Sequence, residues 1–343
     1  MPSISWKKVL LSATLGLFTS ALLLGVVYAQ TRQADTPLQP TPTQEVLELT
    51  FPPTSDHPAS DWRAPLYPIP FALSLHDHFY LDRPIGVDSV NWPLPEYRYG
   101  YVESETENPH SGVDIDAALH TPILAAAAGK VVFTGYGLAL GKGNTKDPYG
   151  LAVVIRHNFS FEGQSILTVY AHMEKILVQD GQYVQAGDPI GKVGITGNTS
   201  GPHVHFEVRL EKDEKYTVQN PELWMAPPIN NGLLVGQIKD NYGNFLAGRE
   251  IWVKSLSTGD DWTIYTYASQ TMNNDAYYNE NLVLSDLPAG KYEVTFQNNF
   301  KHNKFTFSIA PGAITYLTYS PSAGFQQGNP QNNDRLDFVQ PVQ

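Results

Sequence analysis

The chain has 343 residues, no cysteine and a formal net charge of −12 at neutral pH. Hydrophobic residues make up 42% of it and aromatic residues 12%, which supports globular folding and excludes wholesale disorder. The acidic balance excludes a general nucleic-acid binder and a polybasic membrane-surface protein, and the lack of cysteine excludes disulfides, thiolate metal sites and cysteine nucleophiles.

The chain opens with the basic pair Lys7-Lys8, an apolar run over residues 9–27, and Val27-Tyr28-Ala29, which has the small-x-Ala form of a signal-peptidase site. Residues 1–29 are therefore expected to act as a signal peptide or to stay as a membrane anchor. The protein is expected to be exported, to an extracellular, periplasmic or envelope-associated location, with membrane attachment only through this segment. Residues 30–72 are rich in Pro, Thr, Gln and Asp and read as a spacer. From residue 73 the composition turns aromatic (Phe79, Tyr80, Trp92, Tyr97, Tyr99, Tyr101) with prolines between, as expected of short strands and turns that cover a core.

The fold class expected is all-β: a sheet domain over residues 73–228, then a β-sandwich over 229–320 and a disordered tail over 321–343. Within the first domain, strands are expected at 123–133, 151–156, 166–171, 182–184, 190–193 and 203–209. Thr121-Pro-Ile with Gly129-Lys-Val, and Asp188-Pro-Ile-Gly-Lys-Val193, echo each other and suggest a duplicated β motif. Residues 137–149 have loop chemistry and are expected to shape a groove. Beyond the breakers of Ala226-Pro-Pro-Ile-Asn-Asn-Gly232, seven short strands are expected between residues 234 and 319.

The chemistry is concentrated in Gly201-Pro-His-Val-His-Phe-Glu-Val-Arg209. Its period of two places His203, His205 and Glu207 on one face of a strand, where Glu207 either orients a histidine by hydrogen bonding or is an ordinary surface carboxylate. Upstream, His110-Ser-Gly-Val-Asp114 puts His110 and Asp114 on one side if it is extended, with Gly112 leaving room between them. Two imidazoles and a carboxylate form a three-ligand set for catalytic Zn²⁺, with a fourth position left for water. Spacing alone leaves open which of His203 and His205 completes it. His172, in Tyr170-Ala-His-Met173, stands at a predicted strand end as a further imidazole for the same cleft. His76 and His78 lack a third ligand at strand spacing and read as packing residues, while His57, His120, His157 and His302 read as surface or structural.

These residues closely resemble the LytM/lysostaphin-type zinc peptidases, family M23, whose pattern runs H-x-G-x-D, then Y-A-H, then G-x-T-G-x-S/T-x-G-P-H-x-H-F-E. The last part stands here as Gly194-Ile-Thr-Gly-Asn-Thr-Ser-Gly-Pro-His-Val-His-Phe-Glu207. The resemblance covers residues 110 to about 221 and implies the duplicated, antiparallel M23 fold with a groove. It further implies that His110, Asp114 and His205 bind Zn²⁺ while His172 and His203 are catalytic without being ligands. The activity implied is hydrolysis of peptide bonds in peptidoglycan stem peptides or cross-bridges, so the partner implied is a peptidoglycan peptide. All five family residues are present, which argues against the alternative, a non-catalytic M23-like module that activates or recruits a wall hydrolase. Residues 180–191 also resemble the hammerhead of biotinyl and lipoyl carriers, but no carrier lysine motif accompanies them. Residues 236–243 and 286–294 resemble transthyretin-like or carboxypeptidase-regulatory-like sandwiches, with no catalytic cluster.

Overall fold

The structure, a computed structural model, describes residues 67–86, 93–102, 108–267, 272–298 and 301–330, and these lie in one compact unit. The expected signal or anchor segment, most of the spacer, Trp92 and the end of the expected tail lie outside the described residues. Among the described residues the architecture is all-β, with only 3-10 turns besides strands, and no helix is long and apolar enough to cross a membrane.

The first sheet has nine strands: β1 (Val113–Asp116), β2 (Pro122–Leu124), β3 (Gly129–Gly135), β4 (Leu151–Phe161), β5 (Gln164–Ile176), β6 (Tyr183–Val184), β7 (Pro189–Val193), β8 (His203–Lys212) and β9 (Lys215–Gln219). Its main path is β1-β8-β5-β4-β3-β6 and every pairing in it is antiparallel. The two echoing segments meet directly, because β2 pairs with β7 and Ile123 stands opposite Gly191.

Strand 123–133 is interrupted. The buried run Ala125–Ala127 leaves the ladder after β2, and its backbone bonds instead to Asp82 and Asp188. Alanine has no branched side chain to favour a pleated surface. β9 was not expected because the turn before it, Asp213-Glu214, carries no glycine. Both residues nevertheless take positive φ (52° and 61°), the pattern of a two-residue type I′ hairpin turn.

The remaining strands are β10 (Asn231–Ile238), β11 (Glu250–Ser255), β12 (Asp261–Tyr265), β13 (Leu282–Pro288), β14 (Gly290–Asn298), β15 (Lys301–Ile309), β16 (Ile314–Ser320) and β17 (Gly324–Gln327). They form two four-stranded sheets, β13-β10-β16-β17 and β12-β11-β14-β15, with β10 and β16 parallel. Apolar side chains from both, among them Leu234, Leu284 and Leu317 of one and Val253, Val294 and Phe307 of the other, form a single buried cluster, so the pair is a sandwich. β17 lies inside the stretch expected as a disordered tail. Phe325 is buried against Tyr319 at a ring separation of 4.9 Å, and that burial draws residues 324–327 into the sheet.

The first core does not stop at residue 228. Phe79 and Leu81 of the aromatic lead-in, Val204 and Phe206 of β8, and Val235 and Tyr316 of the sandwich belong to one buried cluster. The two β units thus share packed surface as well as a connecting chain.

Candidate metal centre and active site

β8 is the spine of the site. Valine and phenylalanine alternate with polar residues along it, so Val204, Phe206 and Val208 enter the core while His203, His205, Glu207 and Arg209 line the opposite face. All of these are buried, which marks β8 as covered on both sides. β1 runs antiparallel beside it and sets Asp114 directly opposite His205. The close approach depends on Gly112. A Cβ there would stand 2.3 Å from the Phe206 carbonyl oxygen and 3.0 Å from the His205 ring. The glycine therefore makes room for the backbone of β8, a different reason from the space between ligands expected from the sequence.

Three atoms converge where these strands meet. His110 Nε2 lies 3.0 Å from both Asp114 Oδ1 and His205 Nδ1, and the last two are 2.8 Å apart. Ligand atoms held about 2.0–2.1 Å from one tetrahedral ion would be about 3.3 Å from each other, so the cluster has nearly that size. The outer hydrogen bonds set the tautomers. His110 Nδ1 is 3.1 Å from the Arg98 carbonyl oxygen, which can only accept, so Nδ1 carries the proton and Nε2 presents a lone pair. His205 Nε2 lies 3.0 Å from Glu207 Oε1 and donates to it, which leaves Nδ1 facing Asp114.

Three lone pairs aimed at one point repel unless a cation lies among them, and His110, Asp114 and His205 are the one such donor set among the described residues. The electrostatics agree. Burial alone would raise the Asp114 pKa, but hydrogen bonds with His110 and His205 hold it far below the usual carboxylate range. Burial likewise disfavours charge on His205, yet hydrogen bonds to Asp114 and Glu207 outweigh it and raise its pKa to about 9, so positive charge is favoured here and an ion bound at Nδ1 would displace a proton. The donor set is built to hold positive charge and fits a divalent ion such as Zn²⁺.

His203 and His172 stand beside this set. His203 Nδ1 donates to the Gly201 carbonyl oxygen at 2.9 Å, which leaves a buried Nε2 without a hydrogen-bond partner, 3.5 Å from Asp114 Oδ2. His172 Nδ1 donates in the same way to the Thr196 carbonyl oxygen at 2.8 Å. The two rings are 4.7 Å apart.

Simple alternation would aim His172 away from the site, because its neighbour Ala171 stands opposite His205 and shares its face. A β-bulge corrects this. Two residues of β5 oppose one of β4 between Tyr170 and Met173, and His172 takes a φ of 59°. Burial first, and then the nearby His205 and His203, lower its pKa to about 4, so it is a neutral base at physiological pH.

The structure thus brings together all five residues singled out in the sequence. It decides for Glu207 between the two readings open in the sequence, orienter of a histidine or surface carboxylate, and adds partners of Glu207 that spacing could not reveal. Glu207 is fully buried and bonds Arg209 Nε at 2.6 Å, the Tyr149 hydroxyl at 2.7 Å and the Ser111 hydroxyl, so it orients His205. Burial would raise its pKa, but the bond from His205 and the charge of Arg209 keep it low. The one available signal was that Arg209 shares the alternation of His205 and Glu207.

A groove of about 580 Å³ opens on one side of the donor set, walled by Tyr97, Tyr101, Asn198 and Thr199. A second, which shares His110, Asp114 and Asn198 with the first, opens against Pro148, Tyr149 and His172. The loop over 137–149 therefore contributes a groove wall, as expected. It is anchored by the buried Asp147, which accepts from the amides of Ala139, Leu140 and Tyr149.

The other histidines take no part. His78 is buried against Trp224 and 3.4 Å from Asp275, His76 stacks on Tyr277, and His157 is buried beside Thr168. His120 is exposed and bonds Glu174, and His302 is exposed on β15. His57 lies outside the described residues.

Comparison with known proteins gives a consistent picture. Residues 108–218 match the model of peptidase family M23. Outer membrane antigenic lipoprotein B of Haemophilus influenzae is 39% identical over 108 residues, 32% of this chain and 23% of the relative. The peptidoglycan DD-endopeptidase ShyB of Vibrio cholerae is 38% identical over 124 residues, 36% of this chain and 25% of the relative. The chain thus spans about a quarter of the length of these curated relatives. The catalytic domain of lysostaphin from Staphylococcus simulans aligns over 39% of this chain and 86% of its own, at 27% identity and a TM-score of 0.29. Residues 108–218 of this chain thus resemble the M23 peptidases, and the converging donor set and both flanking imidazoles lie within that stretch.

Proposed function

We propose that this protein is an exported zinc metalloendopeptidase that hydrolyses peptide bonds in peptidoglycan stem peptides or cross-bridges. The observation that carries this reading is the division of labour among the imidazoles. His110 and His205 aim lone pairs at a shared point with Asp114, while His203 and His172 stand beside it with Nδ1 bonded to a backbone carbonyl and Nε2 left to accept a proton. His110, Asp114 and His205 would hold the ion, which when bound supplies Lewis-acid polarisation of a carbonyl and lowers the pKa of water.

The residues of the chain do the rest. Carbonyl oxygens of Gly201 and Thr196 keep His203 and His172 in the tautomer that accepts a proton at Nε2. Between them the two imidazoles take the proton from the attacking water, stabilise the developing oxyanion and return a proton to the leaving amine. The groove walls offer phenol, amide and hydroxyl groups to an extended peptide on both sides of the scissile bond. The name of the Vibrio relative supports peptidoglycan as the substrate, and the names of relatives together with the N-terminal sequence support the cell envelope as the location. The C-terminal sandwich is proposed as an accessory domain of the transthyretin-like type.

The test joins two measurements, zinc content after mild dialysis and digestion of purified sacculi with mass spectrometry of the fragments. His110→Ala and Asp114→Ala are expected to lose metal and activity together, and His203→Ala to lose activity with metal retained. A parent protein free of metal, or zinc-loaded protein that leaves sacculi intact, would overturn the proposal in favour of a non-catalytic binding module.

A further inference from the structure

The first of the proposed ligands, His110, is held from outside the M23 segment. Its Nδ1 donates to the backbone carbonyl of Arg98, its amide donates to the Tyr101 carbonyl at 2.9 Å, and its own carbonyl accepts from the Gly100 amide at 2.8 Å. Residues 98–101 therefore form a short strap along His110, and the position of the strap becomes the position of the ligand.

The strap is fastened to the sandwich. The Arg98 guanidinium donates to Glu222 Oε2 at 2.6 Å, and the same oxygen accepts the backbone amide of Ser285, on β13, at 2.9 Å. Arg98, Glu222 and Ser285 are all buried. The Glu222 amide in turn donates to Asn220 Oδ1 at 3.0 Å, which fixes the carboxylate's own backbone. The next two residues of the strap make further attachments. The Tyr99 ring packs edge-on against Tyr267 at 5.3 Å, and its hydroxyl accepts from the amide of Asn273 at 3.2 Å. Gly100 lies so close to Tyr267 that an added Cβ would stand 2.3 Å from that side chain.

We infer that Arg98 is a positioning residue for the metal centre and that the Ser285–Glu222–Arg98 relay makes the C-terminal sandwich a working part of it. A salt bridge that served stability alone could lie anywhere between the two β units. This one holds the residue whose carbonyl sets the tautomer and direction of a ligand; loss of such a direct partner typically changes metal affinity 10- to 100-fold, and loosening it through the Arg98 side chain acts at the lower end of that range. By reciprocity, an ion that tightens His110 must also tighten the relay. The inference rests on the reading of His110, Asp114 and His205 as metal ligands.

The test uses the full chain and Co²⁺ as the probe. Affinity is measured by competition with a chelator and the site geometry by the visible d–d spectrum. Arg98→Gln and Glu222→Gln are expected to weaken Co²⁺ binding about 10-fold and to alter the spectrum, with Arg98→Lys in between. Val253→Ala, which opens a cavity in the sandwich core away from the strap, serves as the stability control and should bind like the parent. Hydrogen exchange of the parent chain gives a second measurement that requires no variant, in which the Ser285 amide should exchange more slowly with the ion bound. Parent-like affinity and spectra in both Gln variants would overturn the inference, as would equal weakening in Val253→Ala or exchange at Ser285 indifferent to the ion. A parent chain that fails to bind Co²⁺ would overturn the metal-site reading, and this inference with it.

Discussion

Gly112→Ala tests how tightly the site is set by backbone contact. The added methyl would stand 2.3 Å from the Phe206 carbonyl oxygen, and ordinary contact begins near 3.4 Å. The obstacle is backbone of the central strand β8, which is paired on both sides and cannot turn aside, so β1 must retreat by about 1 Å. Overpacking of this kind costs about 1–3 kcal/mol of stability. The larger effect falls on function, because Asp114 is carried on β1, two residues from the insertion, and stands 2.8 Å from His205 Nδ1. A misplacement of about 1 Å can cost about 100-fold in rate. Denaturant unfolding should report the stability loss, and metal retention with sacculus digestion should report the separation of Asp114 from His205. The reasoning fails if Gly112→Ala stays within about 0.5 kcal/mol of the parent, the usual range for a substitution that meets no obstacle, and keeps its metal and activity.

Two further perturbations probe the scaffold. His157 is buried away from the site, and burial lowers its pKa to about 4 against an ordinary value of 6.5, a carbonyl contact with Ala128 only partly opposing this. The unfolded chain therefore takes up a proton before the folded one does. The stability that depends on neutral His157 is complete above about pH 6.5 and falls by about 3 kcal/mol as the pH drops toward 4. Unfolding free energies measured at several pH values should lose much of that slope in His157→Gln, and an unchanged slope would assign acid sensitivity elsewhere. In the loop over 137–149, Asp147→Ala removes the acceptor for three backbone amides, two of them held at 2.7 Å. Charged hydrogen bonds contribute about 1.5–3 kcal/mol each, so the loop should open locally, with proteolysis between residues 137 and 149 and faster exchange at Ala139 and Leu140. A loop as protected as in the parent would mean that Lys142 and Thr134, both bonded to Asp180, suffice to hold it.

Much of the fold was legible because the strands obey alternation. β6 and β7 lie within one residue of their expected limits, and β8 shows its two faces in its letters. What was not legible depends on partners distant in the chain. Nothing in the text of Gly112 says that β8 passes close by, and the aim of His172 depends on a bulge that only the pairing of β4 with β5 creates. The bond between Arg98 and Glu222 spans 124 positions and leaves no trace in local pattern. β17 was missed for a related reason. Gly324-Phe325-Gln326-Gln327 carries one apolar residue, and it becomes a strand because Phe325 finds Tyr319.

The same limit applies to His203 and His205, which period-two spacing makes equivalent. On one face of one strand and equally buried, they differ in where the second nitrogen is bound. Gly201 offers His203 a carbonyl oxygen, so the proton sits on Nδ1 and the far nitrogen, Nε2, is left buried without a hydrogen-bond partner. Glu207 offers His205 a carboxylate on its far side, so the proton sits on Nε2 and the near nitrogen, Nδ1, turns to Asp114 and His110. Opposite tautomers thus separate a base from a ligand across a two-residue spacing. Exchanging them would require moving Glu207, which Arg209, Tyr149 and Ser111 prevent. Glu207→Gln keeps that shape but removes the charge that favours a proton on His205 Nε2. It should therefore weaken metal retention about 10- to 100-fold while His203 stays in place, and full retention would show that shape alone sets the tautomer.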